Sequence, residues 1–246
     1  MLQRDVAPGI HRIEDAFTNW YLIEDGTQLT VVDAGLPASW TSLQRALGEL
    51  GRSPGDIAAI VLTHAHFDHV GFAERARTEL HVPVWVHDRD ATLSRHPWHY
   101  EKERTILRYA RYPKAVAVLG AMIVAGGPMT KGVGEVRGFA EEEQLDVPGR
   151  PRPVFTPGHT HGHVALHLPD RGSLIAGDAL VTFNPYTGGQ GPQIVAGAAN
   201  VSSSQAIGSL AALAETGAEV VLPGHGEPWR EGIAAAVERA REAGPS

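Results

Sequence analysis

The sequence contains no cysteine. Disulfides, thiolate metal sites and a cysteine nucleophile are thereby excluded, so any metal must take nitrogen and oxygen ligands. No block of lysine and arginine occurs, and 21 basic against 28 acidic residues leave a net charge of −7. Such mild acidity argues against a nucleic-acid or membrane surface, because binding phosphates takes a basic patch. No apolar run approaches the roughly 18 residues of a membrane span. The opening MLQRDVAPGIHRI has no apolar signal core. The expectation is a cytoplasmic protein whose partner is a small molecule, not nucleic acid or membrane. No repeat of fixed period and no low-complexity segment is present. What the chain has in excess is histidine: 13 residues in 246, with no tag-like run among them.

The hydrophobic pattern alternates between strand and helix. YLI (21–23) and LTVVD (29–33) read as short strands of a meander over 10–33, split by the turn residues EDGTQ. After DAGLP comes a helix with Ser39 as its cap, Leu43, Leu47 and Leu50 on one face, and Gly51 at its end. IAAIVLT (57–63) is a continuous apolar run of strand length, VGFAERARTEL reads as a helix, and VPVWVH (82–87) as a further strand. This alternation marks the α/β class. PVFT, VALHLP and SLIAGD bring strands back after 153. A helix from Ser204 to about Thr216, the strand AEVVLP (218–223) and the helix GIAAAVERARE close the chain.

Residues 88 to about 150 break the pattern. Aromatic and basic residues (HPWHYEKERTILRYARYPK) lead to a helical apolar stretch (AVAVLGAMIVA) and then to a Gly-rich, acidic section. The segment is too short for an independent core, which predicts a largely helical insertion within one domain over 1–246. Its apolar residues, Leu119 and Met122 among them, must pack on something. A lid over a binding site and a homodimer contact are the two readings.

The stretch VLTHAHFDHVG (61–71) places His64, His66, Asp68 and His69 within six positions, directly after an apolar strand. Three more strand ends carry ligand-type side chains: His159 in FTPGHTHGHV, Asp178 in LIAGDAL and His225 in VVLPGHGEP. Glycines beside them allow tight turns that aim a side chain from a strand end. Strand ends of one sheet face one edge, where these residues can converge. Two adjacent ions suit the spacing. His64 and His66 reach one ion, Asp68 and His69 the other, while His159, His225 and Asp178 complete the count. A carboxylate has two oxygens, so Asp178 can bridge. Imidazole with carboxylate suits Zn²⁺, and also Fe or Mn.

On these motifs the chain resembles the metallo-β-lactamase superfamily over nearly its whole length. HxHxDH at 64–69, PGHTxGH at 157–163, GDAL with Asp178 and PGHGEP at 223–228 carry the likeness, and LTVVDAG with Asp33 resembles the family's first motif. The resemblance implies an αββα sandwich with two metal ions at one edge. It implies that His64, His66 and His159 hold the first ion, that Asp68, His69 and His225 hold the second, and that Asp178 bridges them. Asp33 would orient ligands. His163 is expected to make a structural hydrogen bond and His161 to be exposed. His87 is a candidate to support a ligand, and His96 and His99 to meet substrate.

Asp178 argues against a true β-lactamase of this superfamily. The 21 residues after His225 leave no room for the helical domain of the glyoxalase II type. His66 stands where diiron flavoproteins carry Glu. The expectation that remains is a hydrolase of a lactone, ester or thioester, acting through a metal-bridging hydroxide. Asp68 would guide the proton, and Tyr186 would hydrogen-bond the carbonyl as a similarly placed tyrosine does in lactonases of the family. A mononuclear iron sulfur dioxygenase, with His64, His159 and Asp178 as the ligands, is the enzymatic alternative. A ligand-binding protein without turnover is the other.

Overall fold

The computed structural model describes residues 1–140 and 144–246. Seven strands form one sheet in chain order: β1 (Leu2–Ala7), β2 (Ile10–Asp15), β3 (Thr18–Asp25), β4 (Gln28–Val32), β5 (Ile57–Val61), β6 (Val84–His87) and β7 (Arg137–Phe139). The first four are antiparallel and β4 to β7 are parallel. A second sheet has the order β13-β10-β9-β8, from β8 (Arg152–Phe155), β9 (Val164–Leu168), β10 (Ser173–Gly177) and β13 (Val220–Pro223). A separate hairpin joins β11 (Val181–Phe183) to β12 (Gln190–Gln193). The helices are α1 (Ser39–Leu50), α2 (Ala73–Glu79), α3 (Ala91–Arg95), α4 (Pro113–Val124), α5 (Ser203–Ala214) and α6 (Gly232–Ala243).

Strand side chains alternate between faces, and this sorts the core into three layers. Trp20 and Leu22 of β3 pack with Ile60, Leu43, Leu47 and Phe72, between the first sheet and α1–α2. Tyr21 and Ile23, their neighbours in sequence, face Val164, Leu166, Ile175 and Leu222 across the gap between the sheets. Leu174 and Ala176 turn outward onto Leu210, Leu213, Ile233 and Val237 of α5 and α6. Each fully buried Leu or Ile in these layers contributes about 1.5–3 kcal/mol. The layer order is helix, sheet, sheet, helix: the αββα sandwich that the motifs imply. Among the described residues, no helix is long and apolar enough to cross a membrane.

Three expectations change. Ser39 is the first residue of α1 and not its cap; the cap is Ala38, and the Ser39 hydroxyl accepts the Leu36 N–H at 3.2 Å. The helical insertion expected over 88–150 ends earlier, because β7 lies inside that span and pairs in parallel with β6, placing Phe139 in the layer between the sheets. A three-residue strand containing Gly138 gives no alternation to read. Residues 141–143 of the expected span lie outside the described residues. The excursion from the sandwich is therefore 88–136. Strands β1, β11 and β12 are additional to the expected set, being short, polar or interrupted by Gly and Pro.

Candidate metal centre

The carboxyl ends of β4 and β5 in one sheet, and of β8, β10 and β13 in the other, open onto one edge of the sandwich. The loops there carry Asp33, His64–His69, His159, Asp178 and His225. Hydrogen bonds in this edge point the imidazoles one way. Asp33 accepts the Thr63 N–H (2.7 Å) and hydroxyl (2.8 Å), and faces His69 Nδ1 at 2.9 Å. The Thr63 oxygen, its proton given to Asp33, accepts from His64 Nδ1 at 3.0 Å. Asn200 Oδ1 lies 2.9 Å from His159 Nδ1 and the Phe17 carbonyl 2.7 Å from His225 Nδ1. In these four rings Nδ1 is thus committed to an oxygen, and Nε2 is the atom left to face the centre.

Those Nε2 atoms converge. His64, His66 and His159 form one group whose ligand atoms lie within 4.8 Å of one another; Asp68, His69 and His225 form another. Asp178 sits between them. One of its oxygens is 3.6 Å from His69 Nε2, and the other is 3.4 Å from His159 Nε2 and 3.2 Å from His225 Nε2. All seven side chains are buried. Yet Nε2 of His64, His66, His69 and His159, and one oxygen of Asp178, have no hydrogen-bond partner. An orphaned buried polar atom is costly, and five aimed into one space call for an electropositive centre. Imidazole and carboxylate without thiolate fit zinc, iron or manganese. Asp33, His64 and His69 form a third group, but the Asp33–His69 hydrogen bond already occupies its atoms.

Charge follows the same geometry. Burial, with neighbouring imidazoles, holds His64 well below the ordinary histidine range, and burial does the same for His66 and lowers His159. These three stand neutral, as ligands must. Burial opposes a charge on His69 too, but Asp33, Asp178 and Asp68 together raise it to about 10. Burial likewise opposes the Asp178 charge, while His225 and His69 hold that carboxyl well below its usual range. Glycine is required where the loops meet. A Cβ on Gly224 would collide with the Asp178 carboxylate, and one on Gly177, at φ +51°, would come 2.8 Å from His163 Nε2.

The excursion roofs this edge. Trp98 stacks on Phe67 of the histidine loop at 4.0 Å, and Val118 and Met122 of α4 pack on Phe67 and Leu36. The ring of Tyr100 lies 4.1 Å from that of His66, and Tyr109 packs near Tyr186 at 5.8 Å. Below the roof is a cavity of about 300 Å³. Its floor is His66, Asp68, His159, Asp178 and His225, and its walls include Trp98, Leu119, Met122 and Tyr186. Burial pushes the Tyr100 phenol up to about 12 and raises Tyr186 well above its ordinary range.

Other histidines separate. His163 is buried and makes the expected hydrogen bonds, to Thr156 Oγ1 at 2.8 Å and from the Asp178 N–H at 3.0 Å. His161 is 57% exposed, beside Glu101. His87, expected as a candidate to support a ligand, stacks on Phe155 at 4.9 Å and accepts the Arg89 N–H. His96 and His99 are exposed and line no part of the cavity, contrary to their expected approach to substrate. Sequence reasoning missed Asn200 and the buried Asp90, each far in sequence from the group it touches.

A model of the metallo-beta-lactamase superfamily matches residues 13–225. Among curated relatives, the "Probable metallo-hydrolase YflN" of Bacillus subtilis (strain 168) is 26% identical over 181 residues, which is 72% of this chain and 66% of the relative. The "Uncharacterized protein YobT" of the same organism is 31% identical over 165 residues, 66% of this chain and 61% of the relative. The chain thus spans slightly less than two thirds of the length of these relatives. The metallo-beta-lactamase family protein TTHA1429 from Thermus thermophilus superposes with a TM-score of 0.67 at 26% identity, covering 96% of this chain and 78% of that one. TTHA1623, solved in a di-iron-bound form, gives 0.61 at 27% identity, covering 91% and 95%.

Proposed function

This chain belongs to the metallo-β-lactamase superfamily, and from that premise we propose that it is a hydrolase with two metal ions, acting on a lactone, ester or thioester whose acyl or ring portion is apolar. His64, His66 and His159 would hold one ion, Asp68, His69 and His225 the other, and Asp178 would bridge. The observation that carries the reading is the position of Asp178, whose two oxygens lie within 3.6 Å of Nε2 atoms from both groups. Bound ions of this kind supply an activated water and polarise a carbonyl oxygen. The name of the YflN relative supports hydrolysis, and the di-iron form of TTHA1623 supports a pair of ions.

The protein's own groups divide the remaining work. The walls of Trp98, Leu119 and Met122 take an apolar acyl or ring group and shed its water, as mostly apolar cavities do. Tyr186 is held neutral by burial, so its hydroxyl remains a donor that can hydrogen-bond a substrate carbonyl. Asp68 stands at the cavity floor and can carry the proton to the leaving group. The excursion acts as the lid in this reading, and zinc is the metal that the ligand set favours.

Elemental analysis of purified protein, with a screen of esters, lactones and thioesters of graded chain length, tests the proposal. About two ions per chain and hydrolysis of at least one class are expected. A single tightly held iron with oxygen uptake on a persulfide would replace the proposal by a sulfur dioxygenase. A fully metallated chain that turns over none of these would replace it by a ligand-binding role.

A further inference from the structure

The loops that carry His64, His66 and His159 come from different sheets, and one buried carboxylate spans them. Asp90, 1% exposed, lies just after β6 where the excursion begins. Its Oδ2 accepts the Ala65 N–H at 3.1 Å and the Thr160 hydroxyl at 2.7 Å; its Oδ1 accepts the Gly162 N–H at 2.7 Å. Ala65 separates His64 from His66, and Thr160 follows His159. A Cβ on Gly162 would approach Asp90 Oδ1 to 2.7 Å, so the second loop is seated directly against this carboxylate. The other ligand group is tied elsewhere. Asn19 donates to the carbonyls of Pro223 (2.8 Å) and Gly226 (2.7 Å) on either side of His225, and Asp33 holds His69.

We infer that Asp90 is a positioning residue for the His64–His66–His159 ion site, setting the separation of the two loops so that three imidazoles face one ion. The inference rests on the reading that these imidazoles hold an ion, and not on any substrate. A carboxylate is needed because both oxygens accept from fixed donors. An amide in its place turns an NH₂ toward one of them, which pushes one loop away while the side chain keeps its size. The effect falls on one ion site, since the hydrogen bonds of Asp90 go to Ala65, Thr160 and Gly162, and the ties of His69 and His225 run through Asp33, Asn19 and Phe17.

The test is a zinc titration of the full chain, stripped of metal, against a competing chelator, with a thermal melt of the stripped protein. In Asp90→Asn one zinc equivalent should weaken about 10–100-fold and the other by less than about threefold. Thr160→Val, which removes one donor and keeps the carboxylate, should weaken the same equivalent severalfold, and it carries the test if Asp90→Asn does not fold. Both equivalents bound as in the wild type would overturn the inference. So would both weakening alike alongside a lower melting temperature of the stripped chain, the mark of a merely structural anchor. A wild-type chain that binds no zinc or other divalent metal would remove the ion site itself, an outcome distinct from either.

Discussion

His163 Nε2 accepts the backbone N–H of Asp178 at 3.0 Å, while Nδ1 of the same ring faces Thr156 Oγ1 at 2.8 Å. The ring is fully buried, and burial with His159 beside it holds its pKa well below the ordinary range, so it is neutral and Nε2 is an acceptor. One histidine thereby fixes the backbone of the carboxylate placed between both ligand groups. In His163→Ala the Asp178 N–H loses its acceptor inside the protein. The expected cost is about 1–3 kcal/mol for that donor, with a further loss for the cavity left behind. Denaturant titration of the metal-free chain reads this directly; an unchanged midpoint would show that the bond carries no stability.

Asp178→Asn removes the charge that both ligand groups share. Activity should fall by several orders of magnitude, and metal content should drop from two ions toward one, while far-UV circular dichroism stays as in the wild type. Near-normal turnover in a fully metallated variant would take the bridge out of the centre.

Removing the metal should destabilise the fold. Five buried polar atoms of the ligand groups have no protein partner, and an ion that binds only the folded chain adds about 4 kcal/mol when free metal stands at about 1,000 times its Kd. Differential scanning calorimetry before and after chelation should show a lower melting temperature, restored by zinc. Identical melting curves would mean that no ion is held tightly.

Leu119 lines the cavity from α4 and is 47% exposed, so it faces the cavity without anchoring the core. Leu119→Ser should change the ranking of acyl substrates by chain length and leave metal content intact. The same chain-length profile, with a shift from dimer to monomer in light scattering, would make the excursion an interface instead of a lid. Met122, 6% exposed and packed on Phe67, is the poorer probe, because a polar side chain there would also disturb the histidine loop.

Tyr186→Phe tests the phenol. Loss of a hydrogen bond made only in the transition state lowers kcat with KM little changed, by about 10-fold or more. A change in KM alone would assign Tyr186 to substrate packing.

The sequence by itself determined the α/β class, through its alternation of strand and helix, and the seven side chains that converge at one edge; the αββα order was implied only by the resemblance of its motifs to a family. The alternation and the seven side chains are written locally. Apolar runs of strand length announce β5, β10 and β13, and the residues that follow each run are the ones the edge displays. HxHxDH holds four ligand-type side chains within six positions, so its meaning needs no distant partner. Only the tertiary structure decided what holds those side chains and what covers them. Asp90 meets Ala65 across 25 positions and Thr160 across 70, and Asn200 meets His159 across 41. Nothing in the run DRD marks Asp90 until the fold buries it against two loops. The short β7 adds its pairing to β6 only because the chain returns there after the excursion, and that return sets where the roof ends. Hydrogen bonds between residues far apart in sequence leave no periodicity, because their geometry exists only after the two sheets have packed.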